Sequence, residues 1–538
     1  MTSVLDSLIA DRPGEPGLAV ALMCGGKVVE RRCVGLADLA HRVPIGPHTR
    51  FHIVSASKTF VAASVLILAA RGQLSLDDPV RKHLPEMPAE TGAVAIRHLL
   101  SMTSGLRDVL EIERLRGEWR PSASRVQDLL DLAFRQTGVS APAGAQYMYA
   151  NVNYVLLEEI LRRLTGDADA FRRAVLYEPL GLAATGARPH EGITLPDLAT
   201  PYVAGGTGGW TRGTELLGVA GDTLTTSLDN LARWVLALGA GRIGDVDIRG
   251  PMATPAVLND GRPIHYGLGL CIRRYRGLTV LGHTGSQPGY KTHLTYVPER
   301  DLGVAILSNR EETRPGALAA AIIEAALGDG GFPSPHPAWR VQTTKPQPAI
   351  SGTYVDPDNG EWMRLTLGAD GVLAGETLGD ALWLYPDADG VYHHGDDYRA
   401  DVPAELAFTF GATPAEISCR VDRGGQVSQM VRQVQPAGSA RDLDAFVGTY
   451  ESEEIASRHL VTHGKDGLVI TYGLGFDRGR TFPMEPVAPD VFLVRPTAPG
   501  VAHRHVFRFL RSPTGAVTAA IVTMERLKGV VLRRTGAA

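Results

Sequence analysis

Cysteine is scarce in this chain. Cys24, Cys33, Cys271 and Cys419 are scattered, with no C-x-x-C pair, which argues against a zinc site or a disulfide framework. Cys24 and Cys33 can face each other across a hairpin, but buried thiols are the plainer expectation. Charge of one sign is also lacking. The formal net charge is −4, so there is no electrostatic reason to expect nucleic acid or an anionic membrane as partner. No apolar run approaches the ~18 residues that a membrane span needs. Met1 to Pro16 has neither a basic start nor an apolar core, so it does not read as a secretory signal. Together these absences lead to the expectation of a cytoplasmic protein with no membrane partner. Lysine is the third scarcity: 7 of the 54 basic residues are lysine and the rest arginine.

That scarcity draws attention to Phe51-His-Ile-Val-Ser55-Ala-Ser-Lys58-Thr-Phe60. Lys58 is the only lysine with a serine three positions before it. The stretch reads as a β-region running into a helix, with Ser55 at the turn. An i,i+3 spacing then puts both side chains on one face. A hydroxyl needs a base to become a nucleophile, and a desolvated lysine can be that base, whereas arginine cannot be deprotonated. Val61 to Ala70 reads as a helix buried on nearly all sides, a setting that desolvates the amine. The backbone N–H of Ser55, at a helix start, suits an oxyanion. Taken alone, Ser-x-x-Lys is more often a cap followed by a surface lysine.

At 538 residues the chain should hold more than one domain. Residues 17–34 read as a hairpin turning at Gly25-Gly26. Ile96 to Asp108 holds a short helix expected to end near Gly105. Pro142-Ala-Gly144 marks a loop before Tyr149-Ala-Asn151. There a phenol near an ammonium can move a proton, and an amide can bind a substrate carbonyl. An aromatic cluster packing a loop is the alternative, because Tyr147 and Tyr154 are close. Val152 to Leu164 reads as an amphipathic helix. A well-capped helix is expected from Thr225 to Leu238, after a glycine loop at 218–222, and a strand from Tyr266 to Arg273. His283-Thr284-Gly285-Ser286 is expected between strands at 278–281 and 292–297. Glycine there lets a substrate backbone approach closely, and the Ser286 N–H is a second oxyanion donor. A further strand runs from Gly303 to Asn309 and a helix from Pro315 to Leu327.

Beyond a Gly/Pro-rich linker at 331–345 the character changes to short alternating strands. Ile350-Ser-Gly-Thr-Tyr354 recurs as Phe446-Val-Gly-Thr-Tyr450. Each copy opens a strand-rich stretch, and two antiparallel β-barrels are expected, at 346–438 and 439–538, after a first domain at 1–330.

Ser55-x-x-Lys58, Tyr149-x-Asn151 and His283-Thr284-Gly285, in that order, resemble the serine β-lactamase and penicillin-binding-protein superfamily, with His-Thr-Gly in place of the commoner Lys-Thr-Gly. The resemblance implies an α/β (α+β) domain with a five-stranded antiparallel sheet beside a helical cluster. With two lipocalin-like barrels behind it, the layout is similar to the three-domain bacterial D-aminopeptidases. In those, the third domain sends a glycine-rich loop into the cleft, for which Tyr472-Gly-Leu-Gly-Phe-Asp-Arg-Gly-Arg480 is the candidate; an ordinary barrel turn is the equal alternative.

The resemblance implies that Ser55 forms an acyl-enzyme. Lys58 and Tyr149 then share acid–base duty, Asn151 and His283 orient substrate, and no metal or cofactor is needed. The expected substrate is a small peptide, amide or ester with an N-terminal D-residue, and a homodimer is one option for assembly. A free ammonium calls for a carboxylate, with Asp222 and Asp477 as candidates; Arg478 and Arg480 would instead suit a substrate carboxylate. That contrast keeps open an esterase, a D,D-peptidase or a peptide-cyclising thioesterase. A catalytically silent binding protein is the non-enzyme alternative.

Overall fold

The computed structural model describes residues 3–536 apart from 92–93, 119–124, 189–192, 207, 215–223, 335–349, 369–371, 380, 387–390, 394–403, 410–415, 424, 434–441, 474–477, 499–500 and 503. Most of the linker expected at 331–345 therefore lies outside the described residues. So do Asp222 and Asp477.

The first hairpin is β1 (Leu18–Cys24) and β2 (Lys27–Val34). Gly25 and Gly26, at φ 58° and 72°, supply the two left-handed residues that a tight two-residue turn requires. The register sets Cys24 opposite Lys27 and Cys33 opposite Ala19, so the two thiols do not face each other. None of the four cysteines is in a disulfide, and burial pushes the Cys33 thiol up to about 11.

β3 (Cys271–Tyr275), β4 (Leu278–Gln287), β5 (Tyr290–Val297) and β6 (Leu302–Ser308) complete one antiparallel sheet, in the order β3-β4-β5-β6-β1-β2. It has six strands, not five, because both arms of the opening hairpin pair into it. β1 lies between β6 and β2 and is buried on both faces from Leu18 to Met23. Its alternate residues serve two cores. Leu18, Val20 and Leu22 pack with Ile322 and Ile323 of the helix Pro315–Leu327, whereas Ala19, Ala21 and Met23 face the larger helical cluster.

That cluster is built around α1 (Lys58–Ala70), in which every residue from Lys58 to Leu68 is buried. Trp234, from α4 (Leu228–Ala240), stacks on Phe60 with ring centres 4.1 Å apart and donates its indole N–H to the Thr59 hydroxyl at 2.9 Å. α2 (Val109–Arg116) and α3 (Val152–Thr165) complete the surroundings of the site.

Three expectations shift in register. The helix after Ile96 ends at Leu100, before Gly105. Gly105 is instead pressed against the chain, since a Cβ there would lie 1.8 Å from the Ala141 carbonyl oxygen. The helix expected from Thr225 starts at Leu228, and the Ser227 side chain does not cap it. Leu224–Ser227 is a buried strand paired with Arg50–His52, as suits the β-branched Thr225 and Thr226. The strand expected from Tyr266 begins at Cys271, because Gly269, at φ 85°, turns the chain just before it.

Two closed eight-stranded antiparallel barrels follow. The repeated Gly-Thr-Tyr opens the first strand of each, Gly352–Val355 and Gly448–Ser452. In both copies the tyrosine hydroxyl donates to the carbonyl four residues back, Tyr354 to Ile350 and Tyr450 to Phe446, each at 2.8 Å. In both, an arginine from the closing strand, Arg432 or Arg534, donates to the carbonyl just before the glycine.

A buried ion pair joins the barrels. Lys528 Nζ donates to Glu361 at 2.9 Å, with Ser428 on the same carboxylate, and both charged residues are buried. Burial opposes the Glu361 charge, but Lys528 and Arg423 outweigh it and hold the carboxyl at about 2. A carboxyl depressed in the folded state contributes stability that is full above its ordinary 4.5 and is lost as the pH falls towards 2. Glu361→Gln should therefore lower unfolding stability by roughly 3–5 kcal/mol at neutral pH. The deficit should narrow below about pH 4.5. Urea unfolding of both proteins at pH 7 and pH 3 checks this, and a deficit that does not change with pH would contradict it.

Candidate active site

The strand Arg50–His52 leads into the site, and Ile53 N–H donates to the Leu224 carbonyl at 3.0 Å. The chain then turns at Val54, which has φ 51°. A β-branched residue in that region costs on the order of 1–3 kcal/mol and persists only where its surroundings hold it. Here β4 does so. A Cβ on Gly285 would lie 2.1 Å from the Ile53 carbonyl oxygen, so only glycine lets strand and turn come this close. His52 and Gln287 tie them together again, Gln287 donating from its amide to His52 Nδ1 at 3.1 Å. Complete burial, with Arg188 nearby, lowers the His52 pKa to about 3, so it accepts as a neutral ring.

The turn Val54–Ser57 presents Ser55 at the head of α1, and Lys58 is the first residue of that helix. The i,i+3 spacing brings Lys58 Nζ to Ser55 Oγ at 2.9 Å. Ser55 is partly accessible, whereas Lys58 is fully buried. Two phenol rings flank the amine, with Nζ 5.3 Å from the centre of Tyr149 and 5.7 Å from that of Tyr154. Tyr154 is a wall: it is buried and its hydroxyl donates to the Leu100 carbonyl at 3.0 Å. Tyr149 is only half-buried.

His283 approaches Tyr149 from β4, with ring centres 6.2 Å apart. Its Nδ1 lies 2.7 Å from the Thr284 carbonyl, which can only accept, so Nδ1 carries the proton. Nε2 then accepts from the Tyr266 hydroxyl at 3.1 Å in the neutral ring. Burial pushes the Tyr266 phenol well up, which keeps that donor protonated.

His-Thr-Gly is neither a turn nor a break between strands, since β4 runs through it without interruption. β3 pairs with β4 only as far as Gly282. Among the described residues no strand lies beside that edge of β4 from His283 to Gln287, which faces the Ser55 turn instead. Ser286 is exposed there, and its hydroxyl accepts from Lys291 Nζ at 2.7 Å. Asn151 is buried at the start of α3, and its backbone N–H donates to the Asp108 carboxylate. Asp108 also caps α2, accepting from Leu110 N–H at 2.8 Å.

The structure thus gathers Ser55, Lys58, Tyr149 and His283, with Gly285 and Ser286 on the adjoining edge and Asn151 two residues beyond Tyr149. Arg478 and Arg480 are exposed at the foot of the glycine-rich loop, and the Arg480 guanidinium lies 5.3 Å from the Phe482 ring centre of its own barrel. The apex of that loop falls outside the described residues. The sequence reading missed Tyr266, Asp108 and Arg526. Arg526, in the last hairpin of the second barrel, sets its guanidinium carbon 5.0 Å from the centre of the Tyr149 ring. Nothing local marks it, because Glu525-Arg526 reads as an ordinary solvated turn.

The Beta-lactamase family profile matches residues 5–328. A D-aminopeptidase of Cereibacter sphaeroides is 26% identical over 489 residues, covering 89% of this chain and 88% of that protein. The octameric penicillin-binding protein homologue from Pyrococcus abyssi superposes with a TM-score of 0.54 at 22% identity, over 78% of this chain and 96% of that one. The D-amino acid amidase from Ochrobactrum anthropi SV3, complexed with L-phenylalanine amide, superposes with a TM-score of 0.51 at 25% identity, over 60% of this chain and 96% of that one. With the Ser55 turn, the buried lysine and the His-Thr-Gly strand edge all lying inside the matched span, the chain belongs to the beta-lactamase family.

Proposed function

We propose that this protein is a serine hydrolase acting through an acyl-enzyme on Ser55, and that it releases N-terminal D-residues from small peptides, amides or esters. The observation that carries the hydrolase reading is the 2.9 Å contact between Ser55 Oγ and a fully buried Lys58 amine. In the neutral form that amine takes the Ser55 proton as Oγ attacks the substrate carbonyl. Tyr149, in contact with the same amine, relays the proton to the leaving group. The backbone N–H groups of Ser55 and Ser286 receive the oxyanion, and substrate backbone lies along the open edge of β4. His283, locked by Thr284 and Tyr266, shapes the wall beside Tyr149. Water then releases the acyl group. The likeness to D-aminopeptidases and to a D-amino acid amidase supports the choice of substrate class.

A second reading, an esterase, D,D-peptidase or peptide-cyclising thioesterase on the same scaffold, is favoured by the exposed Arg478 and Arg480, whose charge suits a substrate carboxylate.

Lys58→Ala should slow acylation by about 10²–10⁴-fold, since the hydroxyl loses its base. The rate of fluorophosphonate labelling checks this. Labelling should vanish in Ser55→Ala, and near-parental labelling of Lys58→Ala would contradict the assigned role. For the substrate, kcat/KM should be higher for D-alanine p-nitroanilide than for its L-isomer or its N-acetylated form. Equal or better turnover of the acetylated form would move the assignment to the second reading.

A further inference from the structure

Tyr149 has a neighbour from the far end of the chain. The last two strands of the second barrel, β7 (Val517–Met524) and β8 (Leu527–Gly536), turn at Glu525-Arg526. The first domain grips this turn through its backbone. Asp108 N–H donates to the Arg526 carbonyl at 3.0 Å, and Lys528 N–H donates to Ser140 Oγ at 3.0 Å. Arg107 donates from Nε to the Lys528 carbonyl at 3.0 Å and from Nη2 to the Gly529 carbonyl at 2.9 Å. Asp108 is the residue whose carboxylate receives the Asn151 N–H. One residue therefore fixes both the incoming turn and the Tyr149-Ala150-Asn151 loop.

The Arg526 guanidinium ends over the Tyr149 ring, and 32% of its side chain stays accessible. Burial works against its charge, but Glu525 (3.7 Å away), Asp108 and Glu111 outweigh it and keep the group cationic. A free hairpin tip would need none of these anchors.

We infer that Arg526 is a positioning residue of the active site, a cation delivered by the second barrel that holds the Tyr149 ring against Lys58 and favours removal of the proton from that pair. The inference rests on the roles proposed above for Ser55, Lys58 and Tyr149. The physical basis is a sum of like effects. A fixed positive charge beside the pair disfavours the lysine ammonium and favours the tyrosine phenolate, so both contributions ease deprotonation. Among the described residues, the titratable groups facing the pair include Tyr154, Tyr266 and His283. Behind Arg526 stand Glu525, Asp108 and Glu111, with Arg114 on Glu111 at 2.6 Å.

The test is hydrolysis of p-nitrophenyl acetate by the full chain from about pH 5 to 10, with wild type, Arg526→Met, Arg526→Lys, Tyr149→Phe and the Arg526→Met/Tyr149→Phe double variant. Arg526→Met should move the acidic limb of kcat/KM to higher pH by about one unit and lower the rate at pH 7 by about tenfold. Arg526→Lys should restore most of both. In the Tyr149→Phe background, Arg526→Met should cost clearly less than in the parent, because the share that acts through the Tyr149 contact is already gone. Should Arg526→Met not fold, Arg526→Gln is read by the same profile. An acidic limb that stays in place, or losses from Arg526→Met and Tyr149→Phe that simply multiply, overturns the inference. Failure of wild-type Ser55 to take up the fluorophosphonate would instead overturn the roles of Ser55 and Lys58, and this inference with them.

Discussion

A lysine amine with no share of solvent is the constraint on which the rest of the first domain depends. Burying Lys58 removes the hydration that an ammonium would need, so the surroundings must suit the amine or the fold would resist placing it there. α1 meets that demand with a run of buried residues and with the Phe60–Trp234 stack two residues further along. The rings of Tyr149 and Tyr154 line the amine with polarisable faces. What remains open is the route from Nζ to Ser55, which is the one partly accessible residue of that turn. Val54 and Gly285 follow from the same constraint. To bring a strand edge within reach of Ser55, the chain accepts a left-handed valine and forgoes a side chain on the strand.

The barrels belong to this arrangement physically. Lys528 is joined to every part of the molecule: its N–H to Ser140, its carbonyl to Arg107 and its ammonium to Glu361 of the first barrel. Arg107 continues the seam with Glu454, which also accepts from Gly138 N–H at 2.7 Å. Buried charges so placed contribute little net stability over apolar residues, but any other docking would leave them unpaired at a cost of several kcal/mol. They therefore select one orientation of the second barrel, the one in which the Glu525-Arg526 turn meets Asp108.

The candidate site was legible in the sequence where two residues are brought together by spacing along one element. Ser55 and Lys58 lie one helical turn apart, and a scarcity of lysine made the pair visible. The barrel repeat was legible because the same tyrosine hydroxyl bond and the same arginine clamp were kept in both copies. Elements were misplaced where burial overrode local pattern: Thr225-Thr226 resembles the start of a helix yet forms a buried strand, and the sixth strand of the sheet depends on the pairing of β2. Arg526, Asp108 and Tyr266 were not legible, because each acts on a residue distant in sequence, and no periodicity encodes a contact made across 377 positions, as between Tyr149 and Arg526. The chemistry of a site is written locally, and its supports are written by tertiary packing.

The treatment of sheet edges separates structure from function in the first domain. An exposed edge invites pairing with other chains, and natural sheets blunt it with charge or close it. At the β2 edge the chain sets Lys27, Glu30, Arg31 and Arg32, and ties Arg31 to Asp229 and Arg32 to Asp6 and Asp11. Both barrels have no edge at all. Against that background, the stretch of β4 from His283 to Gln287 is an exception. β3 stops short of it, a glycine leaves it bare, and it carries no charged side chain. Packed close against it is the Ser55 turn. On the function proposed above, this edge beside Ser55 is where an extended substrate would lie, with its carbonyl brought to Ser55 by strand geometry before any side chain is recognised.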